Sequence, residues 1–395
     1  MRVLLISRCP PYPLHLGDRL ILWHLARELG ALGVEVDLLA FTQTPHDADD
    51  VPHYRHFFGS VQLLPEAPRP LPSIAGRALF ASRRFPQDAQ HAWSPEMWHA
   101  IQAQMSAQSY AVVHLFGGIH VYEFWHALKG HPALITPYES YSLYMARHLQ
   151  TSASLASLLR YRLAQRYEAF MFAPYPAVTV LAQPDADELQ RLNPRYPMQV
   201  IPNGVDLAYF AEPSLPRQTH SLLFVGNYEY APNLDAAYQL LDDIFPPVRA
   251  QFPQAHLWIV GHAPPPELRA RADEQIHITG RVDDVRPYYA QTSAFVAPLR
   301  IGAGIKNKVL EALAMRACVL TTPIGADGIA LEHGTHALIA EPEQLATTLL
   351  ALWRDDALQA RLHQHSRPLI EQHYSWHSVA QRFLALYQRL SRQTR

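Results

Sequence analysis

The sequence predicts an α/β protein built from two doubly wound domains with parallel sheets. Three observations lead there: short apolar strands alternate with amphipathic helices, a Pro-Asn-Gly break divides the chain near its middle, and 395 residues exceed what one core usually supports. A hydrophobic fraction of 49% with 17% charged residues describes a well-cored chain and excludes intrinsic disorder. The net charge of −2 gives no global reason to expect nucleic acid, and the 22 histidines leave part of the charge sensitive to mild acidification.

The first fifty residues read as strand (3–6), loop (CPPYPLHLGD), helix (19–32) and strand (34–40). In a sheet of this kind, ligands sit at the C-terminal ends of the strands. Asp18 is expected to cap the first helix. The loop has one glycine, Gly17, which fits either a close backbone approach to a substrate or a plain tight turn. With no G-x-G-x-x-G, a nicotinamide or flavin enzyme is not expected. Residues 42–90 read as irregular and rich in Pro. Within them RALFASRRF (77–85) mixes Arg with large apolar side chains, which fits a patch gripping anionic lipid or a lipid-linked acceptor, or a loop packed on its own domain. Strand signals resume at 111–115, 133–136, 177–181 and 198–201, with a long helix over about 152–172. His114 and Glu139 fall near strand ends. Each suits a group that orients a substrate, and His114 equally suits a core position with a satisfied ring.

Cys9 and Cys318 lie in or beside strands, so buried thiols in a reducing compartment are expected rather than a disulfide. VLLI at 3–6 is too short for a signal peptide, and the longest apolar run (169–182) is broken by Pro174 and Pro176. A cytoplasmic chain without a membrane span is the expectation.

IPNGVDLAYF followed by EPSLPRQTH reads as an interdomain turn and linker. The second half restarts with a strand at 222–225, then Gly226-Asn227, then a helix opened by Pro232-Asn233 and running to about 251. Strands follow at 256–261 and 276–279, and Asp283 and Asp284 are placed to cap a helix at Val285. The stretch FVAPLRIGAGIKNKVLEALAMRACVLTTPIGADGI (295–329) predicts a strand (295–297), a loop with Gly302 and Gly304, a helix to about 315 and another strand (318–321). Free backbone N–H groups and the helix dipole favour an anion at such a turn, phosphate above all. Gly304, Lys308 and Glu311 share one helix face. A cation there can meet a diphosphate and a carboxylate one turn on can meet a ribose diol, although a solvated Lys–Glu pair fits the same spacing. In the last helix, Trp376, Val379, Phe383 and Leu386 form an apolar stripe that must pack on something.

PPYPLHLGDR, VIPNGVDLAYF, LLFVGNYEYAPNLDA, ITGRVDDVRPYYA, APLRIGAGIKNKVLEALA and YSWHSVAQRFLALYQ together resemble the family 4 glycosyltransferases of GT-B fold, in particular sugar transferases of exopolysaccharide loci. The resemblance implies two Rossmann-like domains facing a central cleft: 1–205 for the acceptor, 206–374 for a nucleotide-diphosphate sugar, and 375–395 as a helix crossing back to the first domain. It implies that Glu311 binds the ribose hydroxyls, that Gly280, Arg281 and Val282 hold the base, and that Gly304, Ile305, Lys306, Asn307 and Lys308 grip the diphosphate. Gly226 and Asn227 stand where many members carry Arg and Lys. Gly17 matches a loop meeting donor or acceptor. Tentative catalytic roles fall to His114, Glu139, Lys306 and Lys308. Retention and no required metal or cofactor follow from the same likeness, which says little about the acceptor; a glycan or lipid-linked glycan is the expected acceptor, with peripheral membrane contact through 77–85. Two departures stand out. Ala303 replaces the usual first glutamate of the pair ending at Glu311, and His114 is followed by Phe116 rather than a second histidine. A non-catalytic nucleotide-sugar-binding regulator and a sugar-nucleotide epimerase are the alternatives.

Overall fold

Two all-parallel sheets organise the chain in the computed structural model, which describes residues 1–14, 17–152, 154–211 and 215–393. Residues 15–16 of the predicted first loop and 212–214 of the predicted linker lie outside the described residues. The chain divides into one unit of Met1–Pro202 with Trp376–Arg395 and a second of Asn203–Ser375.

The first unit holds β1 (Arg2–Ser7), β2 (Glu35–Thr42), β3 (Val61–Pro65), β4 (Val112–Phe116), β5 (Ala133–Tyr138), β6 (Val178–Val180) and β7 (Met198–Val200). Their order is β3-β2-β1-β4-β5-β6-β7. The second holds β8 (Gln218–Asn227), β9 (His256–His262), β10 (Ile276–Ile278), β11 (Thr292–Ala297), β12 (Val319–Thr321) and β13 (Leu338–Ile339), ordered β10-β9-β8-β11-β12-β13. In each sheet the connections reverse direction once, between β1 and β4 and between β8 and β11, and a crevice outside the strand ends opens at such a point. Central strands such as Val112–Phe116 are buried throughout, because helices cover both faces of a parallel sheet.

The last helix, Trp376–Gln393, belongs to the first unit, where its apolar stripe is covered. The His24 ring stacks on Trp376 at 5.1 Å, and the Tyr387 hydroxyl lies 2.7 Å from Nδ1 of His114.

Several elements differ from the sequence reading. The stretch expected to be irregular contains β3 and the helix Leu71–Leu79. β3 is an edge strand with a half-buried pattern and prolines on its flank, so its alternation is faint. The helix expected over about 152–172 is shorter, Leu155–Glu168, with Ser154 capping it by accepting from the Ser157 N–H, and another helix, Tyr141–Thr151, precedes it. Asp18 is no N-cap. It lies in the first turn of the helix Gly17–Ala31, and its carboxylate takes the Arg8 guanidinium at 2.7 Å. A short helix, Arg286–Gln291, begins one residue after Val285, with Asp284 accepting from the Arg286 N–H at 2.9 Å.

Tyr387→Phe removes the partner of a fully buried histidine nitrogen. It is expected to cost about 1–3 kcal/mol in urea unfolding, the usual penalty for orphaning a buried polar group.

Candidate functional site

The second sheet reverses between β8 and β11, and the strand ends there are shaped by glycines. Gly226 and Gly261 are partners across β8 and β9. Gly261 adopts φ +137°, and a Cβ on it would lie 1.9 Å from the Gly226 carbonyl oxygen. A Cβ on Gly226 would in turn lie 3.1 Å from Cβ of Asn233. The two backbones therefore close together, and the Asn233 side chain, 8% exposed, occupies the space above Gly226. Its Nδ2 donates to the Asn227 carbonyl at 2.8 Å, and its Oδ1 accepts from the Lys308 ammonium.

Lys308 sits in the first turn of the helix Asn307–Ala314. Intrahelical bonding begins with the Val309 N–H donating to the Lys306 carbonyl at 2.9 Å, so the N–H groups of Asn307 and Lys308 precede the helix ladder. Asn307 is fixed by Asn203, whose Nδ2 donates to its Oδ1 at 2.8 Å. The Lys308 Nζ also lies 4.5 Å from the centre of the buried Phe224 ring. Burial pushes this ammonium down to about 7; Glu311 opposes the shift and Lys306 adds to it. One turn on, half-buried Glu311 accepts from the Tyr289 hydroxyl at 3.1 Å through Oε2. Burial raises its carboxyl above the usual range, against the pull of Tyr289 and Lys308.

The two lysines are not equivalent. Lys306 caps the helix and folds back on the glycine loop, donating to the carbonyls of Ala303 at 3.0 Å and Gly304 at 2.5 Å. Gly302 and Gly304 both have positive φ, at 129° and 66°, which lets the loop turn beneath this side chain. Lys308 alone reaches the end of β8. Ile305 is buried beside them, and Gly280 takes φ 78° with its carbonyl bonded to the Gly261 N–H at 3.1 Å. Beyond it Val282 is half-buried and Arg281 exposed.

Gly17, His114 and Glu139 belong to the first unit. Gly17 is exposed at the start of its helix. His114 is wholly buried in β4, with Nδ1 on Tyr387 and Nε2 2.6 Å from the Thr136 hydroxyl. Burial drives its pKa well down, and the ring stacks on Phe116 at 3.8 Å. This is a neutral core histidine, so the tentative catalytic role read from its strand-end position gives way to a packing role. Glu139 is half-buried just after Tyr138, whose φ is 73°. The turn behind it is held by carboxylates that the sequence reading passed over. Asp185 accepts from the Ser140 N–H at 2.7 Å, and Glu168 accepts from the Tyr141 N–H at 2.7 Å and the Ser140 hydroxyl at 3.0 Å.

Asn233, Tyr289 and Asn203 are the supporting residues that sequence reasoning missed. Pro232-Asn233 carried only a helix-start signal and Asn203 only a turn signal. A compositional clue did exist: the chain has three lysines, Lys129, Lys306 and Lys308, and two of them lie in this helix turn.

The arrangement offers N–H groups and an ammonium at one end and a carboxylate at the other, which suits a phosphate-bearing polyol. Residues 20–209 match the family model described as Glycosyltransferase Family 4, and 219–355 match that described as Glycosyl transferases group 1. The chain belongs to the family 4 glycosyltransferases. A phosphatidyl-myo-inositol mannosyltransferase of Mycobacterium tuberculosis is 30% identical over 204 residues, 48% of this chain and 53% of the relative. An uncharacterised protein of the cps region of Klebsiella pneumoniae is 31% identical over 134 residues, 32% of this chain and 34% of that one. The chain thus spans about half the length, or less, of the curated relatives it matches. Among solved structures, the fold resembles sucrose-phosphate synthase from Thermosynechococcus elongatus, with TM-score 0.75 and 19% identity over 98% of each chain. It also resembles Anabaena HepE in complex with UDP, with TM-score 0.68 and 14% identity over 98% of this chain and 100% of that one. These likenesses establish the GT-B fold for this family 4 glycosyltransferase.

The close approach of β8 and β9 orders two substitutions. Gly261→Ala is expected to destabilise the second unit by about 3 kcal/mol or more, combining left-handed strain with a backbone clash. Gly226→Ala, where only the Asn233 side chain must give, is expected to cost about 1 kcal/mol. Denaturant unfolding of the two variants reads the order.

Proposed function

We propose that the protein transfers a sugar from a nucleotide-diphosphate sugar to a glycan or lipid-linked glycan, with retention of anomeric configuration, in polysaccharide assembly. The observation that carries this reading is Lys308, held by Asn233 at the end of β8, one turn before Glu311 on a helix whose first N–H groups precede its ladder. The diphosphate meets the ammonium and the N–H groups, and Glu311 accepts from the ribose hydroxyls. Arg281, Val282 and the backbone at Gly280 are assigned to the base.

In the reaction the bond from the anomeric carbon to the diphosphate oxygen breaks. The negative charge gathering on that oxygen is stabilised by Lys308 and the helix N–H groups, preorganised before substrate arrives. The acceptor oxygen bonds to the anomeric carbon on the face that the diphosphate leaves, and its proton passes to a diphosphate oxygen. No protein side chain is assigned as general base. An arriving diphosphate raises the pKa of Lys308 and holds it charged through the step.

The acceptor class draws support from the relatives, since the mannosyltransferases carry a phosphatidylinositol acceptor in their name and the Klebsiella protein is encoded in a cps region. A lipid-linked acceptor would place the chain at a membrane face; among the described residues no helix is long and apolar enough to cross one. A second reading, a nucleotide-sugar-binding regulator, is favoured by one observation: buried Ala303 supplies no carboxylate at the sugar-contacting end of the loop.

Thermal stabilisation screened with UDP, GDP and ADP identifies the base, and transfer to mixed glycan acceptors separates enzyme from regulator. Against the nucleotide that binds, Glu311→Gln and Lys308→Met are each expected to weaken affinity about 10- to 100-fold, the worth of one charge-assisted hydrogen bond, with circular dichroism of each variant checking that the fold is kept. Unchanged affinity in both variants contradicts the site.

A further inference from the structure

The helix that carries Lys308 and Glu311 ends on a residue that its backbone does not favour. The Arg316 N–H donates to the Leu313 carbonyl at 3.0 Å and the Ala317 N–H to the Ala312 carbonyl at 2.9 Å, which closes Asn307–Ala314 with a Schellman turn. The residue after the cap of such a turn is left-handed, and Arg316 takes φ 55° there. Glycine fills that position without the steric cost that a Cβ brings. An arginine there is explained by its side chain, not by its backbone.

That side chain helps to line an open cavity of about 410 Å³, together with Arg217, Ala360, His363 and Gln364. None of the described residues that line it is acidic. Both arginines are half-buried and braced on the backbone. Arg217 donates to the carbonyls of Thr292 at 3.0 Å and Arg316 at 3.1 Å, and Arg316 donates through Nη1 to the His363 carbonyl at 3.3 Å. Ala360, His363 and Gln364 share one face of the helix Asp356–His373. The His363 ring is fixed as well, with Nδ1 on the Arg316 carbonyl and Nε2 3.4 Å from Sγ of buried Cys318. Arg367, one turn on, is committed to the carbonyls of Phe210 at 2.7 Å and Ala314 at 2.8 Å and to Glu371 at 2.7 Å. The cavity lies at the N-terminal edge of the second sheet, since Arg217 precedes β8, Thr292 opens β11 and Arg316 leads into β12. Lys308 stands at the other end of β8, with the eight-residue helix, about 12 Å long, between it and Arg316.

We propose that this cavity binds a sugar phosphate, its phosphate held by Arg217 and Arg316 and its hydroxyls met by the Gln364 amide. Guanidinium forks match the oxygens of a phosphate, and side chains braced beforehand lose little freedom when it arrives. The volume falls in the range of small-molecule sites, which a lone phosphate ion leaves mostly empty. This site goes beyond the donor site and does not rest on it.

Isothermal calorimetry of the full chain with glucose 6-phosphate provides the test. One equivalent is expected to bind, glucose is expected not to bind, and inorganic phosphate is expected to bind at least about tenfold more weakly than the ester. Arg316→Gly relieves the left-handed strain and is expected to melt no lower than the unaltered protein, and Gln364→Glu changes only an exposed side chain. Each is expected to lose at least about tenfold in affinity for the ester. Lys308→Met, which alters the donor site, is expected to leave that affinity unchanged. No binding, inorganic phosphate bound as tightly as the ester, affinity kept in both cavity variants, or affinity lost in Lys308→Met would overturn the proposal.

Discussion

A lysine ammonium withdrawn from water beside an aromatic ring is the constraint around which the second unit is arranged. Such a charge is costly unless it is partnered, and Lys308 is given the Asn233 carbonyl oxygen, the face of Phe224 and, one turn on, the Glu311 carboxylate. Each partner has its own requirement. Asn233 fits only because Gly226 has no side chain, and Gly226 comes within reach of β9 only because Gly261 has none either. Glu311 keeps its place through Tyr289, itself wholly buried. Glycines at the strand ends and the Lys308 ammonium thus share Asn233 as a neighbour, where the strand order of the sheet reverses.

The first unit uses charge differently. Its arginines are committed to structure or spread over a surface: Arg19 pairs with Asp47 in the interior, Arg8 with Asp18 at the end of β1, and Arg77 with Glu123 under the helix Leu71–Leu79. A guanidinium stays charged in such places, whereas an ammonium changes its pKa with burial. The scarcity of lysine outside the Lys306–Lys308 turn accords with that division. The core histidine follows the same economy of water. His114 spends both ring nitrogens on Tyr387 and Thr136, and so ties the last helix to the middle of the first sheet.

Much of this was legible beforehand. Parallel sheets declare themselves in continuous apolar strands, and the glycine loop ahead of Asn307–Ala314 is plain from Gly302 and Gly304. What escaped was long-range. Asn233 and Lys308 are 75 residues apart, and Tyr289 and Glu311 are 22 apart, so no local pattern joins them. The edge strand β3 escaped because one-sided burial weakens alternation, and the start of the helix Leu155–Glu168 turned on a single serine cap. His114 was ambiguous for a plain reason: a strand-end histidine looks alike in sequence whether it faces a crevice or a tyrosine.

With three lysines in the chain, isotopic labelling of lysine side chains yields a spectrum in which Lys308 is assigned by Lys308→Arg. Its titration by nuclear magnetic resonance tests the central claim directly. The account predicts a midpoint near 7 in the free protein and a rise toward the ordinary lysine value of about 10.4 once a nucleoside diphosphate is bound. A midpoint already at the ordinary value in the free protein, or one that the bound nucleotide leaves unmoved, would contradict it.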